Sequence, residues 1–210
     1  MILKNITKTI AVSAILASSL MAADVVKIGV QAPITGEYAN EGQSIENFVK
    51  LIVEEKNAAG GLLGKQIEVV TCDDEAKAQK AAVCAKKLSN GGVIAVIGSY
   101  TSGATEAAQT TYFRSKVLQT SDGTSDSLIS NKYWTFFRNS FPNSSQSDFT
   151  AEYMVNSKKY KNIVVLSDYS SYSEGLGDAT AASIKALGGN VIYRGKIKSG
   201  TQNFTAMLTK

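Results

Sequence analysis

The 210-residue chain contains no histidine. That absence removes the Ser-His-Asp triad, the Cys-His dyad, His-ligated zinc and the imidazole general base. Cysteine is scarce. Cys72 and Cys84 are the only two, too few by themselves for a structural zinc site or an iron–sulfur cluster. Charge of one sign is in short supply as well. The 22 Lys+Arg against 18 Asp+Glu leave a formal net charge of +4. That is too mild for nucleic acid, which calls for a concentrated basic face. Long apolar runs are missing too. Ile10–Leu20 is the longest candidate, and it has about half of the roughly 20 residues that a membrane span needs. No G-x-G-x-x-G and no G-x-S-x-G occurs. Gly60-Gly61-Leu62-Leu63-Gly64-Lys65 resembles part of a phosphate loop, but Ala59 and Gln66 stand where that motif needs Gly and Ser or Thr. It reads instead as a helix stop and a turn. No metal and no cofactor is expected.

What is present describes a globular, exported protein. Hydrophobic residues make up 44% and charged residues 19%, enough to build a core. The length allows one large domain or two small ones. Lys4 and Lys8 precede the apolar run, and Leu20-Met21-Ala22-Ala23 forms a small-residue exit. Residues 1–23 therefore read as a secretory signal peptide, cleaved after Ala22 or Ala23. Removing Lys4 and Lys8 leaves 20 basic against 18 acidic residues, a net of +2. The mature protein is expected outside the cytoplasm, with no direct insertion into the membrane.

Strand and helix patterns alternate along the rest. Strands are expected at 25–32, 66–71, 93–97, 117–119, 133–138, 162–167 and 191–196. Ile45, Phe48, Val49 and Ile52 fall on one helical face. Ala81, Cys84, Ala85 and Leu88 mark the buried face of a second helix. Further helices are expected up to about residue 114, at 147–159, at 173–187, and from Asn203 to the end. The continuous apolar run 93–97 suits a parallel strand covered on both faces. This order predicts an α/β fold with a doubly wound parallel sheet. Ligands bind such sheets outside the carboxyl ends of the strands. The loops to inspect are 33–42, 72–76, 98–103, 119–127, 139–146 and 167–174. They are rich in Ser and Thr, which serve equally as helix caps or as donors to a bound anion. Asp73-Asp74-Glu75 reads as the first turn of the following helix rather than a cation cage. Export permits a disulfide between Cys72 and Cys84, and two free thiols are the alternative.

Several segments carry a resemblance. Lys27-Ile28-Gly29-Val30 with Ala32-Pro33-Ile34-Thr35-Gly36 resembles the opening of periplasmic branched-chain amino-acid binding proteins. Asn57 to Lys65, Cys72-Asp73-Asp74, Val96-Ile97-Gly98 with Ser102, Thr120 to Thr124, Phe137-Arg138 and Tyr172-Ser173-Glu174-Gly175 follow in the family's order and spacing. The set covers essentially the whole mature chain. The resemblance implies the type I periplasmic binding fold, in which two α/β lobes close on a ligand. It implies the substrate-binding component of an ABC importer, a periplasmic protein that captures an amino acid and hands it to a membrane permease without chemistry. A sensory or regulatory receptor on the same fold, binding an amide or amino acid, is the second expectation.

The resemblance also assigns roles. Ser102 falls where a hydroxyl meets the ligand carboxylate, although it could equally cap a helix from Gly103. Thr124 falls where a threonine hydroxyl touches the ligand. Asp122 and Gly123 fall at positions of backbone contact. Tyr172 falls where the second lobe lays a tyrosine over the ligand. Glu41 stands where an aromatic residue often covers the ligand side chain, and Asp122 where a small apolar residue is common. Either the ligand is more polar than leucine or carries an extra amine, or both acids face solvent. By resemblance, residues 24–141 form a first lobe and 142–210 the incomplete start of a second, so a C-terminally truncated member is expected.

Overall fold

The computed structural model describes residues 25–209. The signal peptide expected over residues 1–23 lies outside them. The first half of the chain builds a five-stranded parallel sheet. Its strands are β1 (Val26–Ala32), β2 (Ile67–Asp73), β3 (Ala95–Gly98), β4 (Leu118–Ser121) and β5 (Phe136–Arg138), in spatial order β2-β1-β3-β4-β5. Parallel neighbours need crossovers. Helices α1 (Ala39–Ala58), α2 (Ala78–Asn90) and α3 (Ser102–Arg114) supply three of them. Asn57 ends the first crossover by clamping it to β2: its amide donates to Ile67 O at 2.9 Å and its carbonyl accepts from Ile67 N at 2.8 Å. Gly61 then turns the chain at φ +79°, where a Cβ would lie 2.0 Å from Lys65 O. The Gly60–Lys65 segment is a turn and not a phosphate loop.

The two faces of this sheet are covered unequally. On one, α2 and α3 bury Leu88, Val93, Val96, Ala108, Tyr112 and Val117. Gly29 lets α2 approach, since a Cβ there would meet Val96 Cγ2 at 2.9 Å and Leu88 Cδ1 at 3.3 Å. On the other face α1 lies over β1 and β2, where Val30, Ala32 and Val49 are buried. It does not reach β4 and β5. Thr120 and Phe137 stand in register, and Phe137 is 55% exposed. This corrects two expectations. Phe48 is 64% exposed and Ile52 is exposed with it, so the apolar stripe of α1 is only half used. In the apolar run at 93–97, Val93 and Val96 are buried and Ile97 packs against the α1-side cluster, but Ile94 is 53% exposed, so the run is covered on both faces only in part.

The disulfide question has a plain answer: Cys72 at the end of β2 is bonded to Cys84 in α2, with Cα atoms 5.6 Å apart. The bond pins α2 to the sheet twelve residues after β2 delivers the first sulfur.

The chain leaves the first sheet after Arg138 and enters α4 (Asn143–Glu152), which runs on as a single π turn, Tyr153–Ser157. Strands β6 (Asn162–Ser167) and β7 (Asn190–Lys196) pair in parallel around α5 (Ser171–Ala186). Ile163, Val165, Ala151 and Ile184 make a small core against α4 and α5. The alternate residues Val164 and Leu166 face outward and are exposed. The last helix is short, α6 (Thr205–Leu208), where the sequence predicts one running from Asn203 to the end. No helix among the described residues is long and apolar enough to cross a membrane.

Candidate functional site

At the carboxyl ends of β1 to β4 a cluster of buried polar groups replaces the hydrocarbon core. Tyr112 donates to Gln31 Oε1 at 2.5 Å, and Gln31 Nε2 donates to Asp74 Oδ2 at 3.1 Å. Ser99 Oγ donates to the same Asp74 oxygen at 2.5 Å. Burial, with the Asp74 carboxylate second, pushes the Tyr112 hydroxyl far above its ordinary value. A second set joins β3 to β4. Ser121 Oγ donates to Ser99 O at 2.7 Å and accepts from Gly123 N at 2.9 Å. A buried polar group without a partner is costly, so each link holds the next, and the loops above inherit fixed positions. Gly98 starts the loop after β3 at φ +126°, and a Cβ there would stand 1.8 Å from Gln31 O. No other residue fits.

The acids at 73–75 do something other than expected. They lie before α2, not in its first turn. Asp73 Oδ1 accepts from Ile34 N and Glu75 N, each at 2.9 Å, and its other oxygen accepts from Thr35 at 2.6 Å. Asp74 Oδ1 accepts from Ala76 N at 2.9 Å. Glu75 and Ala76 both adopt positive φ, 49° and 57°, which is disfavoured for residues with a Cβ. The two carboxylates hold that bend. Burial opposes ionisation of Asp73, but the donated hydrogen bonds win and keep its carboxyl below the usual range. Among the described residues no His, Cys, Asp and Glu cluster is arranged to hold a metal ion.

Above this platform lies a cavity of about 450 Å³ shared by both halves of the chain. Ser102, Asp122, Gly123 and Thr124 line it from the first sheet, and Ser171 and Tyr172 from the start of α5. Five of the six residues singled out by sequence thus meet at one cavity. Glu41, the sixth, does not line it. It is exposed on the first turn of α1 and acts on the cavity through its charge. The chain brings Tyr38 to the wall instead, with Tyr100, Thr101 and Ala76. The loops 33–42 and 98–103 point to this region in the sequence. The tyrosines within them do not stand out, because nothing local shows that their rings meet, centroids 5.7 Å apart.

Ser102 is not a cap. It is the first residue of α3, and Thr101 holds the cap position without a capping hydrogen bond. Its hydroxyl oxygen accepts from Thr124 N at 3.1 Å and Ser125 N at 3.2 Å. With both lone pairs engaged, the hydroxyl has only its proton left to give. Ser102 is 2% exposed and borders the cavity. Thr101 Oγ1 and Thr124 Oγ1 are buried without any partner. Arg138 fixes the same loop from behind, donating to Thr124 O and Ser125 O at 3.1 Å each. The N-termini of α3 and α5 face each other across the cleft, Gly103 against Ser171. Both carry unsatisfied amides and the positive ends of helix dipoles, so an anionic group is favoured between them.

The rest of the wall has the opposite sign. Partial burial, then Glu41, Asp122 and Tyr172, raises the Tyr100 hydroxyl above its ordinary value. Partial burial, then Glu37 and Asp168 with smaller effects from Tyr100 and Glu41, does the same to Tyr38. The cavity therefore offers hydroxyl and amide donors together with two tyrosine rings and, among the described residues, one lining carboxylate, that of Asp122.

Comparison with known proteins agrees. The family model described as periplasmic binding protein matches residues 25–210. The Leu/Ile/Val-binding protein homolog 2 of Brucella abortus is 32% identical over 187 residues, 88% of this chain and 50% of that protein. A leucine-, isoleucine-, valine-, threonine- and alanine-binding protein of Pseudomonas aeruginosa is 31% identical over 92% of this chain and 52% of its own length. Among solved structures, the branched-chain amino-acid substrate-binding protein LivJ of Streptococcus pneumoniae, in complex with isoleucine, superposes with a TM-score of 0.79 at 32% identity. That match covers 89% of this chain and 53% of LivJ. The chain spans about half the length of the relatives it matches. On the family model and on these likenesses, the chain belongs to the periplasmic binding protein family.

Proposed function

We propose that this chain is part of an extracytoplasmic receptor that captures an amino acid for an ABC importer. The observation that carries the reading is the Ser102 hydroxyl, both lone pairs used, bordering a cavity flanked by two helix N-termini. The ligand carboxylate docks there, on Ser102, Thr124 and the free amides of α3 and α5. Tyr172 comes from the second lobe, residues 142–210, and covers the ligand as the lobes close about the crossing near 139–146. No bond is made or broken. Binding shifts the balance towards a closed form, and a membrane permease reads that form. The basic start and apolar run of residues 1–23 act as the export signal, which places the receptor in the periplasm.

Isothermal titration of the mature protein, purified from a periplasmic extract, against the common amino acids tests this. At least one is expected to saturate a single site. Ser102→Ala should weaken that binding by about 1–3 kcal/mol, since it leaves a carboxylate short of a donor. A protein that binds no amino acid overturns the reading. Unchanged affinity in the variant removes Ser102 from the site.

A further inference from the structure

We infer that the amino acid held in this cleft carries a positively charged side chain, received by Asp122 beside the Tyr38–Tyr100 pair. The inference rests on the amino-acid reading above and names the ligand class. Asp122 lines the cavity, and its backbone carbonyl accepts from Ser140 at 2.9 Å. Its carboxylate has no hydrogen bond and no ion pair among the described residues. The Glu41 carboxylate, at the rim, has none either. Among the described residues no lysine or arginine lines the wall. Lys77 follows the lining residue Ala76, but its ammonium pairs with Glu75 at 2.7 Å. Arg138 is spent on two carbonyls behind the loop.

Asp122 shares its loop with the donor Thr124, whose amide meets Ser102 Oγ at 3.1 Å, so the acid lies close to the carboxylate position. A ligand carboxylate at Ser102 keeps its α-ammonium within two bonds of that place. Asp122 also borders the neighbouring groove lined by Ser44, Phe48 and Asn139, so it stands where the two cavities meet. Ser102, Tyr100 and Asp122 line one cavity, so a ligand held by its carboxylate at Ser102 has its side chain in the space that Tyr100 and Asp122 border. With an aliphatic side chain, closure would strip water from an unpaired carboxylate, which is costly. A terminal ammonium or guanidinium removes that cost, and aromatic faces add attraction for a cation. Burial first, and the nearby carboxylates after it, raise the hydroxyls of both tyrosines.

Norleucine has the carbon chain of lysine without the terminal ammonium, so the pair isolates the charge. Isothermal titration of the mature protein with L-lysine, L-arginine, L-norleucine and L-leucine is the experiment. Lysine or arginine is expected to bind at least about tenfold tighter than norleucine, and Asp122→Asn should draw that ratio towards one. Leucine or norleucine binding as tightly as the basic pair in the wild type overturns the inference while leaving the amino-acid reading intact. Equal losses for lysine and norleucine in Asp122→Asn also overturn it, by giving Asp122 to the α-ammonium. If none of the four binds, and no other amino acid does, both readings fall together.

Discussion

The wall of the cleft built on the five-stranded sheet stands on a closed network of buried side chains. Gln31, Asp74, Ser99, Tyr112 and Ser121 each hold another. The facing wall, from the half that carries the two-stranded sheet, is the exposed first turn of α5. There Ser170 Oγ caps Ser173 N at 3.2 Å, and Asn143 Nδ2 reaches Tyr172 O at 3.1 Å. Tyr172 itself is 41% exposed. The difference separates two jobs. On the proposed reading, the groups that select a ligand are fixed before it arrives, so little ordering cost falls on binding. On the same reading, the groups that cover it sit on the wall that moves as the cleft closes.

Breaking the fixed wall should have the largest effect. Gly98→Ala puts a Cβ into the Gln31 carbonyl at a backbone conformation closed to alanine. A loss of about 3 kcal/mol or more in unfolding free energy is expected, by urea denaturation. A smaller change would show that the β1–β3 end relaxes easily, and the contrast between the walls would fade.

Removing the disulfide comes next. Cys72 and Cys84 close a loop twelve residues apart, and the loop carries Asp73, Asp74 and the lining residue Ala76. The double serine variant should lose about 2–3 kcal/mol. Because the bond serves the fixed wall, reductant should lower the melting temperature of the wild type and leave the variant unmoved.

How much of this was legible varies from place to place, for physical reasons. Strand β6 has the same bounds by sequence and by structure, 162–167, because a short apolar run with β-branched residues between polar ends marks a strand, though the run does not show that Val164 and Leu166 face outward. The start of α4 falls at Asn143 rather than Ser147. Its opening Asn-Ser-Ser-Gln is hydroxyl-rich and reads as loop. Phe48 and Ile52 have the spacing of a buried stripe yet are exposed, since periodicity shows which residues share a face, not what covers it. Ser102, Asp122, Gly123, Thr124 and Tyr172 stand out in the sequence because they follow strands in a family pattern, and the fold gathers them on one cavity. Tyr38 and Tyr100 do not stand out, because their pairing joins residues 62 positions apart by sequence number.

Tyr172→Ala sharpens the contrast from the moving side. The ring lines the cavity and little of the second-lobe core, which is built from Ala151, Ile163, Val165 and Ile184. Affinity should fall by about 1–2 kcal/mol, the scale of one partly buried aromatic contact. The melting temperature without ligand should stay within about a degree or two, because surface substitutions usually change stability little. A large fall in melting temperature would mean the second wall is also structural.

The smallest effect concerns pH, and it again belongs to the fixed wall. Asp73 has its folded-state pKa lowered: burial acts against ionisation, and hydrogen bonds from Thr35, Glu75 and Ile34 outweigh it. A depressed carboxyl contributes stability that is complete above its unfolded value, about 3.9. That stability is lost as pH falls through the lower folded value. Asp73→Asn keeps the shape and cannot ionise, so part of the acid destabilisation below about pH 4 should disappear. Unfolding free energies measured between pH 7 and pH 3 give the comparison. Parallel curves for wild type and variant would show that the bend at Glu75 and Ala76 needs an acceptor there but no charge. A shallower acid limb in the variant would show that the charge on Asp73 is part of what holds the cleft floor in place.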